Sequence, residues 1–87
     1  MKYVVYYETV PDAGDRVAEL FPAHRARWQR CLEEGTLLAI GPFADGSGAM
    51  GVFTTRAAAE EFAAGDPFVL HGVIGNWHIR EWNEVLL

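Results

Sequence analysis

His24 is the side chain in this sequence best suited to exchange protons near neutral pH. It lies in the stretch Phe21–Gln29, and its neighbours at helical spacing, Val17 and Trp28, are apolar. An imidazole ionises close to neutral pH, so this histidine could act as a general acid or base. A neutral histidine that is only packed in the core gives the same pattern. The spacing alone favours the packed histidine, because single buried histidines are common.

Asp66 is the carboxylate with the clearest position. It follows Gly65 and precedes Pro67, which is the pattern of a residue that caps the start of a helix. A carboxylate there could also accept a hydrogen bond from a nearby imidazole. Three tyrosines near the N-terminus could donate hydrogen bonds into a pocket, although tyrosines in strands usually serve packing: Tyr3, Tyr6 and Tyr7.

Two patterns that suggest a cofactor or a metal do not hold. Residues Gly46–Gly51 match the GxGxxG pattern of dinucleotide-binding loops, but a strand pattern follows them instead of the required helix. The three histidines, His24, His71 and His78, lie on different predicted elements without metal-ligand spacing. We therefore predict neither a metal nor a cofactor.

The composition indicates one globular domain, residues 1–87, with an acidic surface. Twelve acidic residues against seven basic ones give a net charge of −5, which argues against nucleic-acid binding. The helix arginines Arg25, Arg27 and Arg30 are interpreted as ordinary surface charges. No signal peptide or membrane-spanning segment is expected, and Cys31 has no partner for a disulfide, so a reducing cytoplasm is the expected location.

Periodicity and turn signals predict elements in the order βαββαβ. These are a strand Lys2–Glu8, a helix Asp15–Glu34 ended by Gly35, strands Thr36–Ala44 and Ala49–Thr54, a helix Arg56–Ala64 capped by Thr55, a short helix from Pro67, and a strand Ile74–Trp82. This order is typical of the α+β ferredoxin-like plait, a four-stranded antiparallel sheet with two main helices on one face. The other face is rich in aromatic and β-branched residues, so we expect a homodimer formed through it.

Pro22 raises a separate expectation about His24. A proline is favoured at the first position of a helix and disfavoured inside one. We therefore expect Pro22 to start or kink the helix just ahead of His24. The imidazole would then lie near a helix N-terminus, whose positive dipole disfavours protonation.

The sequence resembles the YCII-related (YciI-like) family, which belongs to the dimeric α+β barrel group of ferredoxin-like folds. The resemblance runs nearly end to end and rests on "YVVYYE", "PAHRARW", "EEGTLLAIGPF" and "FTTRAAAEEFAAGDPF". Its most recognisable pieces are Pro22–His24, Gly41–Pro42 and Asp66–Phe68. The resemblance implies that His24 and Asp66 form a catalytic dyad in a pocket between helix and sheet.

One branch of that family is associated with dehydrochlorination of a chlorinated hydroxyquinol, and its structural relatives include muconolactone isomerases. The resemblance therefore implies cofactor-free proton transfer, of a lyase or isomerase type, on a small polar or aromatic metabolite. We expect the substrate to contact five residues near the dyad: Tyr6, Trp28, Gly41, Pro42 and Phe68. Two alternatives stay open, namely a non-catalytic module that binds a ligand or a partner protein, and a dimeric scaffold in which His24 is only packed.

Overall fold

The strands and helices follow one another in the order that the sequence predicts. The computed structural model describes all residues, 1–87. Its elements are β1 (Lys2–Thr9), α1 (Gly14–Glu34), β2 (Leu37–Pro42), β3 (Gly48–Phe53), α2 (Arg56–Gly65), α3 (Pro67–Leu70) and β4 (Ile74–Trp82). The βαββαβ order is confirmed, and so is the short helix predicted from Pro67, which is α3 between α2 and β4.

The four strands form one antiparallel sheet in the order β2-β3-β1-β4. This is the ferredoxin-like arrangement, so the predicted α+β class is confirmed. β2 is shorter than predicted and ends at Pro42, whose missing N–H cannot extend a ladder. None of the three helices is both long enough and apolar enough to span a lipid bilayer.

Side chains of the central strand β1 alternate between the two faces of the sheet. Val5 and Tyr7 belong to the core cluster under the helices, together with Phe53 and Phe62, which pack at 5.3 Å between ring centroids. Val4, although buried, lies outside that cluster, because successive residues of a strand point to opposite faces. We call the face away from the helices the outer face.

Helix α1 does not start at Pro22; it begins at Gly14 and continues through the proline. His24 therefore lies in the middle of a 21-residue helix and not near its N-terminal end. The physical reason is packing on both sides of the proline. Val17 and Trp28 both contact the core, which outweighs the roughly 3 kcal/mol that an internal proline costs.

The helix ends follow the predicted signals. Gly35 adopts a left-handed conformation, φ 80°, and its N–H bonds to carbonyl groups of the last turn of α1. Thr55 caps α2, because its side-chain oxygen accepts a hydrogen bond from the N–H of Ala58 at 3.1 Å. These local signals are therefore confirmed.

Candidate active site

Asp66 lies where α2 ends and α3 begins, and it is completely buried. As predicted, it caps α3, since its Oδ1 accepts a hydrogen bond from the N–H of Phe68 at 3.1 Å. One backbone donor does not compensate a fully buried carboxylate, because an ionised group removed from water needs further donors or a counter-charge.

His24 supplies the second donor from the middle of α1. Its Nδ1 lies 2.9 Å from both Oδ1 and Oδ2 of Asp66. Because a carboxylate only accepts hydrogen bonds, the proton of the imidazole is held on Nδ1, and Nε2 of the neutral ring carries the lone pair. The pair predicted from the sequence is thus in direct contact.

Tyr7 supplies the third donor from β1. Its hydroxyl donates to Oδ2 of Asp66 at 2.7 Å. Burial, and then the charge of Asp66, raise the pKa of Tyr7 far above its ordinary value, so the phenol keeps its proton and remains a donor. Three separate elements, α1, β1 and α3, therefore converge on one carboxylate.

Aromatic rings hold the imidazole of His24 in its plane. Phe68 stacks on it at 4.1 Å between centroids and 15° between planes, while Phe62 packs edge-on at 6.0 Å and Phe21 lies tilted at 6.1 Å. The side chain of His24 keeps about a tenth of its area exposed. Nε2 makes no hydrogen bond within the chain and is not enclosed, so it is open to an incoming ligand.

A cavity of about 980 Å³ opens beside His24, between α1, the core and the β2–β3 hairpin. Most of its lining residues are hydrophobic. They include His24 and four of the five residues expected to contact a substrate: Trp28, Gly41, Pro42 and Phe68. Asp66 itself is completely buried and does not line the cavity.

Tyr6 is not brought to this cavity. It lies on the outer face, where its ring stacks on His78 at 5.2 Å. The strand alternation places Tyr7 and not Tyr6 beside the dyad, because neighbouring residues of β1 point to opposite faces. The expectation that Tyr6 contacts the substrate in this cavity is therefore corrected, and the tyrosine of the site is Tyr7.

Arg27, interpreted from the sequence as an ordinary surface charge, joins two helices next to the site without lining the cavity. Its Nη2 donates to the carbonyl of Glu61 at 2.7 Å, and its guanidinium lies 5.9 Å from the ring centroid of Phe62. Gly65 leaves room for it, since a Cβ there would be 2.5 Å from Nη2. One turn after His24, Arg27 thus fastens α1 to the end of α2, directly before Asp66. The sequence did contain one signal for this role. Helix α2 ends at Gly65 and has no basic residue in its own last turn to interact with its final carbonyl groups.

The family model described as the YCII-related domain matches residues 1–83 of the chain. The chain belongs to the YCII-related family. It is 30% identical over 97 aligned positions to Protein YciI of Escherichia coli O6:H1, covering 98% of this chain and 99% of that protein. Protein YciI of Shigella flexneri matches with the same identity and coverage. The resemblance to this family is confirmed.

A solved structure shares the fold of this YCII-related chain. It is 5-chloro-2-hydroxyhydroquinone dehydrochlorinase (TftG) from Burkholderia phenoliruptrix AC1100, in complex with 2,5-dihydroxybenzoquinone. The TM-score is 0.80 at 17% identity, over 95% of this chain and 94% of that one. The likeness supports the ferredoxin-like assignment.

We predict that Tyr7→Phe reduces the loss of stability at alkaline pH. The folded chain raises the pKa of Tyr7, so above about pH 10 the unfolded chain releases this proton first. The contribution of Tyr7 to the free energy of unfolding is complete below that pH. It falls as the pH rises, by up to about 1.4 kcal/mol per pH unit. Urea unfolding between pH 9 and about 11.5 measures this slope. Tyr6→Phe is the control, because that hydroxyl does not contact Asp66; equal slopes in wild type and Tyr7→Phe would contradict the prediction.

We predict that Arg27→Gln weakens the attachment of α1 to α2. Losing a charged donor to two carbonyl groups should lower the free energy of unfolding by about 1–3 kcal/mol. The NMR signal of the Nδ1 proton of His24 should also shift or broaden. Arg25→Gln, on an exposed position of the same helix, should change stability by less than about 0.5 kcal/mol. Similar losses in both variants would show that Arg27 has no special role.

Proposed function

We propose that the chain catalyses proton transfer, without a cofactor, on a small polar or aromatic metabolite, as a lyase of the dehydrochlorinase kind or as an isomerase. One observation carries the proposal. The imidazole of His24 is held at Nδ1 by the buried carboxylate of Asp66, while Nε2 stays free beside the cavity. A general base needs this arrangement, in which one nitrogen is oriented and the other is available.

In the reaction, Nε2 of His24 takes a proton from a C–H or O–H group of the ligand. The imidazolium that forms is stabilised by the carboxylate of Asp66, which also accepts hydrogen bonds from Tyr7 and the N–H of Phe68. In an isomerisation, Nε2 returns the proton to a different atom. In an elimination, the C–H electron pair forms the new double bond, and the leaving group departs with the electron pair of its own bond.

The solved relative gives this reaction class independent support. TftG is a dehydrochlorinase and was solved with a small ring compound, 2,5-dihydroxybenzoquinone. For the present chain the argument rests on the geometry of His24 and Asp66, because 17% identity supports the fold and not the substrate.

A ligand-binding module without catalysis is the second candidate. It is favoured by the lining of the cavity, which is mostly hydrophobic and would hold a ligand without any proton transfer. The two candidates differ in what they require of His24. Binding alone needs only the shape of the ring, whereas catalysis needs its titratable nitrogen.

We predict that His24→Gln lowers kcat/KM by at least about 100-fold, the usual contribution of a general base, and leaves ligand affinity within a few fold. Asp66→Asn should also lower kcat/KM, because the amide no longer orients and stabilises the imidazolium. Chloride release from chlorinated hydroquinones and hydrogen–deuterium exchange into phenols are suitable assays. His78→Gln on the outer face should keep wild-type activity. Undiminished turnover in His24→Gln would exclude His24 as the base, and ligand binding without any turnover in the wild type would support the binding module instead.

We also propose that a second copy of the chain covers the outer face of the sheet. Met50 and Trp82 expose 37% and 39% of their area there, on either side of the buried Val4 and Val52. Exposed apolar side chains that adjoin a hydrophobic patch are typical of subunit contacts.

The expected solution mass is twice the 9.7 kDa of one chain, measured by light scattering after size exclusion. Met50→Glu should convert the dimer to a folded monomer, since a buried carboxylate without a partner opposes association. Arg25→Glu on the helix side should remain dimeric. A wild-type mass of one chain at micromolar concentration would overturn this arrangement.

A further inference from the structure

The cavity beside His24 has a one-sided distribution of charge. Its lining contains two carboxylates, Asp12 and Asp45, and the imidazole of His24, but none of the seven lysine and arginine side chains. Sites that bind carboxylate or phosphate groups normally present arginine, lysine or a cluster of backbone N–H groups to them. The composition of this lining therefore bears directly on which ligands it accepts.

Three of the basic side chains are bonded to other groups of the fold, outside the cavity. Lys2 pairs with Glu84 at 2.6 Å, Arg56 pairs with Glu81 at 3.0 Å, and Arg27 is bonded to carbonyl groups of α2. None of these groups lines the cavity. A bound anion would consequently find no guanidinium or ammonium group within the walls.

The two carboxylates lie at the rim of the cavity. Asp45 is in the turn between β2 and β3, where hydrogen bonds from Ser47 lower its pKa and keep it ionised. Asp12 is in the loop before α1, at φ 60°, and is exposed. With a net charge of −5 on the whole chain, an anion that approaches the opening is repelled.

The inner wall carries no basic side chain that could compensate a negative charge. Phe21, Trp28 and Phe68 supply aromatic surface, which suits a flat ring. A protonated His24 is paired with Asp66 through Nδ1, so the carboxylate already balances the positive charge of the imidazolium. A carboxylate placed there would lose its hydration without gaining a free counter-charge.

We propose that this cavity selects an uncharged, flat aromatic ligand that carries a hydroxyl group, and that it discriminates against anionic analogues of the same shape. The inference deepens the proposed function and rests on it for the site. A neutral hydroxyl donates to Nε2 of His24, and the ring packs between the aromatic walls. Neither group requires a cation from the protein.

The test compares 4-hydroxybenzamide with 4-hydroxybenzoate, which have nearly the same shape and differ by one negative charge at pH 7. Ligand-observed NMR and calorimetry measure both affinities on the full chain at low ionic strength. We expect the amide to bind at least about tenfold more tightly, a difference of about 1.4 kcal/mol. Equal or tighter binding of the benzoate would overturn the inference, and so would failure of both compounds to bind at millimolar concentration.

A matched pair of double variants tests the role of the rim. Asp12→Asn with Asp45→Asn should reduce the preference for the amide, because both rim charges are removed. Glu33→Gln with Glu34→Gln changes the net charge equally, at exposed positions that do not line the cavity, and should leave the preference unchanged. Equal effects of the two pairs would show that only net charge matters and would overturn the rim's part.

The inference and the proposed function can fail separately. If His24→Gln and wild type both prefer the amide, but wild type catalyses no proton exchange on any bound compound, the selectivity stands and the catalytic proposal fails. If wild type turns over chlorinated hydroquinones but binds the benzoate as tightly as the amide, catalysis stands and the selectivity fails.

Discussion

The burial of one carboxylate, that of Asp66, is the constraint on which the rest of this structure depends. A fully buried carboxylate is stable only when its oxygens are well satisfied. Here the hydroxyl of Tyr7, Nδ1 of His24 and the N–H of Phe68 satisfy it, from β1, α1 and α3 respectively. One carboxyl group therefore joins the central strand, the long helix and the helix junction.

This arrangement gives the imidazole of His24 a defined chemical state. Its Nδ1 is committed to Asp66, and its ring is fixed against Phe68, so only Nε2 is left for a ligand. Arg27 also holds the helices that carry the pair in place, because it bonds the end of α2 to α1 one turn from His24. The geometry of the site is thus held by its neighbours and does not depend on a mobile loop.

The charges around the cavity have a related origin. The carboxylate that matters for the imidazole is hidden behind it, and the other two carboxylates, Asp12 and Asp45, lie at the rim. The basic side chains that pair within the chain do so with carboxylates or carbonyl groups, and none of them lines the cavity. Because these basic side chains are bonded within the fold, none is left to line the cavity. The contacts that stabilise the fold therefore also limit which ligands the cavity binds.

The sequence by itself determined the element order, the caps at Gly35 and Thr55, and the pair His24 and Asp66, because these depend on local periodicity, turn chemistry and short family motifs. Tertiary structure decided the rest. Helix α1 passes through Pro22 because packing on both sides outweighs the local signal. Tyr7 replaces Tyr6 at the site because strand register sets which face meets the helices. Which side chain reaches Asp66 from 59 residues away is a property of the assembled sheet and helices, and local pattern does not contain it.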